Sequence, residues 1–265
     1  MASDKEISQK TSNRFLLSIL LALFALISLV AATVAWFTIA DFTKIYSMSM
    51  EITSGTNLRF DLDPHDTFEE YVKTLSFKQI AERILKEKKV DMRATPLEPV
   101  TTRDYETYFY EDGSVVSAQS GAYMEFTLHF MATETMLLHL TSAGGDNGAG
   151  TKVTSRNAAL PEAMRISFTT DGKTFVYDPD MGDAATGTEK RKTFGLPEES
   201  KMVPNKNNQM FWLEKNQDKP VIVRIWLEGT DEACTDALRK ADYSISLRFV
   251  GTDENHKILD GKRKD

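Results

Sequence analysis

The chain has 265 residues, 41% of them hydrophobic, with a formal net charge of -7 and a single cysteine. That length and apolar content exclude a coreless chain, the lone Cys234 excludes an intrachain disulfide scaffold, and the acidic balance repels phosphate backbones, so nucleic acid is not an expected partner. The sequence also contains no Asn-x-Ser/Thr sequon.

Residues 1–14 carry Lys5, Lys10 and Arg14 against Asp4 and Glu6, and residues 15–40 then contain no charge, Gly or Pro. As an α-helix this apolar run is about 39 Å long, against roughly 30 Å for a bilayer core. Basic residues precede it and Asp41 follows it, so the positive-inside bias keeps residues 1–14 in the cytoplasm and sends the remainder out. Two fates stay open for this helix. Its length is that of a permanent single-pass anchor, longer than the roughly 7–15 residues of a signal h-region; yet Thr33 and Ala35, flanking Val34, put small residues where a signal peptidase reads them before Trp36. Release at Trp36 is the expectation taken first, with the retained membrane anchor as its rival.

Beyond the leader the hydrophobic period becomes two. Met48, Met50 and Ile52, then Leu58, Phe60 and Leu62 across a turn at 55–57, predict a hairpin. Ser76 and Gln79 have capping-box spacing, and Phe77, Ile80, Ala81, Ile84 and Leu85 form one helical stripe running to about Lys89, with a shorter helical turn before it at Phe68 and Tyr71. Pro96 and Pro99 mark a connection, after which β patterning resumes. Tyr108, Tyr110 and Val115 flank an Asp112-Gly113 turn; Met124, Phe126, Leu128 and Phe130 alternate, as do Met136, Leu138 and Leu140. Ile166 and Phe168 face Phe175 and Tyr177 across Asp171-Gly172, and Val221, Val223, Ile225 and Leu227 pair by pattern with Tyr243, Ile245, Leu247 and Phe249. Residues 142–150 and 181–200 read as surface loops. The expected fold is mainly β: an antiparallel β-sandwich or jelly roll over residues 41–250, with a helical insertion at about 66–90 that includes the amphipathic helix. An N-terminal hydrophobic signal or transmembrane helix precedes it, and a polar tail follows at 251–265.

Chemical motifs are sparse. The four histidines, His65, His129, His139 and His256, form no His-Glu-x-x-His, and one cysteine cannot build a zinc ribbon. His129 and His139 sit on the polar faces of their strands, where neighbouring strands could bring them together, and read as surface residues. "DGKT" at 171–174 ends like a phosphate loop but has Ser167 where the first Gly belongs, so it is a hairpin turn. No Gly-x-Ser-x-Gly elbow occurs, "LPEES" at 196–200 has no hydrophobic tail behind it, and no enzyme activity is expected. No cofactor is expected either. Glu228, Asp231, Glu232 and Asp236 crowd one connection and could offer hard oxygen ligands to calcium, although they lack the ligand alternation and central Gly of an EF-hand. The alternative for them is a helical turn from about Asp231, with carboxylates favoured by the dipole and Leu238 facing the sheet.

"LLSILLALFALISLVAATVAWFT" resembles the SipW-type signal segments of exported Gram-positive proteins, including the TasA and camelysin group. "RIWLEGTDEACTDAL" at 224–238 is similar to a stretch of exported Firmicutes proteins with such leaders. The resemblance implies a cell-surface or biofilm-matrix protein, on the membrane or extracellular after cleavage, self-associating when the freed segment "WFTIADFTKIYSMSM" completes a neighbour's sheet. The helical insertion departs from that group and would block an edge. The rival is an anchored binding module for a wall polymer or another cell-surface partner. A pilin-like subunit ranks lower, since the Gly before the apolar run and the glutamate soon after its start are missing.

Overall fold

The computed structural model describes residues 19–23, 44–52, 57–141, 151–179, 209–238, 241–255 and 257–259. The chain divides into two compact units, Met1–Asp41 and Phe42–Asp265. In the first, residues 19–23 are helical and exposed. The rest of the expected span at 15–40, with the junction at Thr33, Val34, Ala35 and Trp36, lies outside the described residues. No helix among the described residues is long and apolar enough to cross a membrane.

The second unit is mainly β. Its strands are, in chain order, β1 (Lys44–Ile52), β2 (Leu58–Asp61), β3 (Thr74–Ser76), β4 (Pro99–Thr102), β5 (Tyr108–Phe109), β6 (Met124–Ala132), β7 (Met136–Leu140), β8 (Lys152–Ser155), β9 (Met164–Thr170), β10 (Lys173–Tyr177), β11 (Gln209–Leu213), β12 (Lys219–Glu228) and β13 (Asp242–Thr252). One sheet runs β11-β7-β13-β1-β3, with β8 beside the first half of β13 on the edge that β7 takes further on. The other runs β10-β9-β12-β6-β2, with β4 continuing the β6 side of β12 and carrying β5.

The two sheets face each other across one core, supplied by the alternating residues of both. Phe249 of β13 meets Phe60, Phe130 and Phe168 of the opposite sheet edge-on, with centroids 5.8, 5.3 and 5.9 Å away. Edge-to-face contact suits the ring quadrupoles, and burying each ring contributes about 1.5–3 kcal/mol.

The helix Phe77–Lys88 forms where the capping box places it. Ser76 Oγ accepts from the Gln79 N–H, the Gln79 carboxamide accepts from the Ser76 N–H, and Lys89 closes the helix in the left-handed conformation. Its stripe of Ile80, Ala81 and Ile84 is buried. The turn before it is a short 3-10 segment at Phe68–Glu70.

Two expected pairings are corrected. β1 and β2 are not a hairpin: β1 joins β13 and β3, while β2 joins β6. β12 and β13 lie in different sheets. Alternation identifies which face of a strand is inward but says nothing of its neighbour. The sheets are also mixed rather than wholly antiparallel, since β1 with β13 and β4 with β12 run parallel. In the tail the Asp253 N–H reaches Lys257 O, and the Leu259 N–H reaches Gly251 O, so the chain turns back on β13.

Candidate functional site

The four carboxylates considered for calcium do not converge. Glu228 is buried and accepts from Trp226 Nε1 at 3.0 Å and from Thr230 Oγ1 at 2.7 Å. Asp231 is buried against Arg165, 2.7 Å from Nη2, and its other oxygen accepts the Ala233 N–H at 2.8 Å. Glu232 and Asp236 are exposed, and Asp236 opens the short 3-10 turn that ends at the buried Leu238. Among the described residues no group of three or more His, Cys, Asp or Glu side chains is placed to hold a metal ion. The nearby Cys234 is a free, half-buried thiol, pushed up to about 11 by burial and by the Asp231 and Glu228 charges.

Glu228 and Asp231 belong to a layer on the outer face of the β12 sheet. Arg165, fully buried, ties Asp231 to Asp178 (3.2 Å) and donates to the Glu162 and Met164 carbonyls. Trp226, also fully buried, packs with Val100, Tyr105, Tyr108, Val116, Ala122 and Val176. Tyr108 meets its indole edge-on at 5.6 Å and stacks on Tyr123 at 4.1 Å. Residues 100–123 thus roof this face. At its rim Glu125 pairs with both Lys88 and Arg224. Burial acts to raise the Glu125 carboxyl, but those two cations outweigh it and hold it below the usual range.

The histidines separate. His129 Nδ1 lies 2.8 Å from Asp218 Oδ2, and Asp218 Oδ1 accepts from the Tyr71 hydroxyl at 2.8 Å. Burial first, and the Asp218 carboxylate as well, push the Tyr71 hydroxyl up to about 12. This clasp pins residues 61–72 onto the sheet, with His65 stacked edge-on against Tyr71. His139 corrects the surface expectation: it is buried, with Nε2 2.8 Å from Thr252 Oγ1, on a strand with both faces covered. His256 lies outside the described residues. Asp171 and Gly172 form the expected β9–β10 turn with φ of 52° and 70°, the left-handed pair such hairpins use.

The outer face of the β13 sheet is different. Ser76, Ser49, Ser246 and Lys152 make one row across β3, β1, β13 and β8, and Ser47, Ser244 and Thr154 make the next. All are exposed or half-exposed. Beside these rows, a bulge between Ile45 and Ser47 turns Tyr46 outward, 78% exposed, onto a groove of about 370 Å³. Sequence reading missed this groove, because register between β1, β8 and β13 builds it; the sole local sign was Tyr46 among serines. Along β1, β3 covers Ser49 to Glu51, whereas residues 44–48 have no partner on that side among the described residues.

Comparison with family models, with curated proteins and with solved structures finds no match for this chain.

Proposed function

We propose that the chain is a non-enzymatic cell-surface protein, exported or membrane-anchored through residues 15–40, whose sandwich-like β domain stands outside the cell and associates by strand addition. This is the structural or matrix role that resemblance to the TasA and camelysin group implies. One observation carries the reading: β1, the first strand after the apolar run, is a partly uncovered edge. On the side away from β13 its residues 44–48 have no partner among the described residues, and such an edge accepts a strand from another copy. The insertion limits the site, since β3 and the helix after it occupy the rest of that edge.

Mass measurement of the native amino terminus, with fractionation of cells, envelope and medium, tests the placement. A start at Trp36 in the medium supports release, and an intact start in the membrane supports the anchor. Protein confined to the cytosol overturns both. Self-association is tested on the mature form: a monomer at every concentration, with no filaments by electron microscopy, rules out strand addition.

A second reading, an anchored module that binds a wall polymer, is favoured by the Tyr46 groove.

A further inference from the structure

We infer that the Tyr46 groove is a glycan site, which takes sugar rings of a neutral polysaccharide. This deepens the second reading above. Four features of the groove point to that chemistry.

The first is the aromatic. A Tyr that is 78% exposed forgoes the burial that normally drives aromatic rings inward. A β-bulge holds it there, and bulges re-aim side chains at the cost of local pairing. An exposed ring on a strand is a stacking platform for the apolar face of a pyranose.

The second is the polar lining. Thr154, Ser155, Arg156, Asp242 and Ser244 line the groove with Tyr46, so hydroxyls, a cation and an anion share one groove with the ring. Sugar hydroxyls donate and accept at once, and this mixture meets both needs. Ser155 and Ser244 are already oriented: Ser155 Oγ donates to the Asp242 carbonyl, and Ser47 Oγ donates to Ser244 Oγ, each at 2.8 Å.

Flatness is the third. The hydroxyl rows continue from the groove across β13 and β1 with small side chains only, and neighbouring strands lie about 4.8 Å apart. That repeat is close to the length of one ring along a β-linked sugar chain, so a chain could lie along one row and cross several strands.

Charge is the fourth and selects among polymers. Arg156 and Asp242 balance within the groove, while the whole chain carries -7. The balanced groove gives a polyanion no net attraction, whereas a neutral chain needs none. The groove volume falls in the range of roughly 300–1,000 Å³ usual for small-molecule sites.

The test is calorimetric titration of the full-length chain in detergent micelles with β-linked tetrasaccharides of N-acetylglucosamine and of glucose, and with polygalacturonate as the polyanion. Saturable binding of a neutral tetrasaccharide is expected, weakened at least about tenfold, or about 1.4 kcal/mol, by Tyr46→Ala. Thermal unfolding of that variant should match the wild type, and Trp212→Ala, which changes an exposed aromatic on β11, should bind as the wild type does. Absence of binding by both neutral probes, equal binding by Tyr46→Ala, or preference for polygalacturonate would each overturn the inference. None of these outcomes touches the placement of the protein at the cell surface, which the amino-terminal mass decides separately.

Discussion

The two sheets open and close different parts of their outer faces. On the second half of β12 the outward residues Arg224, Trp226 and Glu228 are 7%, 0% and 0% exposed, roofed by residues 100–123, although Pro220 and Ile222 before them are open or half-open. On the first part of β13 the outward Ser244, Ser246 and Arg248 stay half-open, although Val250 and Thr252 after them are buried. Both strands show the same period-two pattern inward. The difference lies in what the outward residues can do. Trp226 has a large apolar body with one N–H to satisfy, and Glu228 satisfies it; serines gain little from cover. A roofed face consumes its polar groups internally, and an open face leaves them for a partner. That is why Glu228 and Asp231 carry structure and the serine face carries the candidate site.

If the roof is structural, breaking it should give the largest effects. Trp226→Ala should cost about 3–5 kcal/mol in chemical denaturation, the range for deleting a buried aromatic. Arg165→Met should cost a similar ~3–5 kcal/mol, because Asp178 and Asp231 then remain as buried charges with their common cation gone. Adding Asp178→Asn and Asp231→Asn to Arg165→Met should recover part of that loss. A single replacement that costs under about 1 kcal/mol would mean that this face is wetter than its geometry indicates.

The inward side of β13 is as tight as that of β12, which sharpens the contrast to the outer faces alone. A Cβ on Gly251 would lie 2.2 Å from Sδ of the fully buried Met136. Gly251→Ala should therefore cost about 1–3 kcal/mol through overpacking, readable as a lowered melting temperature.

Local chemistry made some of this legible in the sequence. Ser76 and Gln79 announced the helix, and Asp171-Gly172 announced the β9–β10 hairpin, because a cap or a two-residue turn acts on its own neighbours. The inward sets of β1, β6, β9, β12 and β13 were equally readable from alternation. Strand partners were not, since β1 closes against β13 from the other end of the domain. The same non-locality hid the site. Asp231 reads as a loop carboxylate until β9 brings Arg165 to it, and Tyr46 reads as one more strand residue until β8 and β13 place Arg156 and Asp242 beside it. One sign of the roof was present: Arg224, Trp226 and Glu228 in succession on a supposedly wet face include a large aromatic that water does not favour.

At the rim between roof and solvent, acid should act through Glu125. Its folded-state value lies below the ordinary one, so the carboxylate contributes stability that is complete above the unfolded value near 4.5 and is lost as pH falls through the lower folded value. Wild type should exceed Glu125→Gln by a constant margin above that pH, and the margin should shrink below it, where Glu125 is itself neutral. A margin that stays flat down to pH 2 would show that Lys88 and Arg224 do not hold the carboxyl down.

The smallest effect belongs to the open face. Ser49 and Ser246 sit opposite each other on β1 and β13, with side chains outward and no roof over them among the described residues. Ser49→Ala and Ser246→Ala should each change stability by less than about 0.5 kcal/mol, as surface changes away from packed features do. Their consequence should fall on tetrasaccharide binding instead, because each removes one hydroxyl from the rows that continue the Tyr46 groove. A stability loss comparable to that of Gly251→Ala would mean that this face is covered in the folded protein. The contrast between the two sheets would then vanish, and with it the reason for placing a ligand on β13 and not on β12.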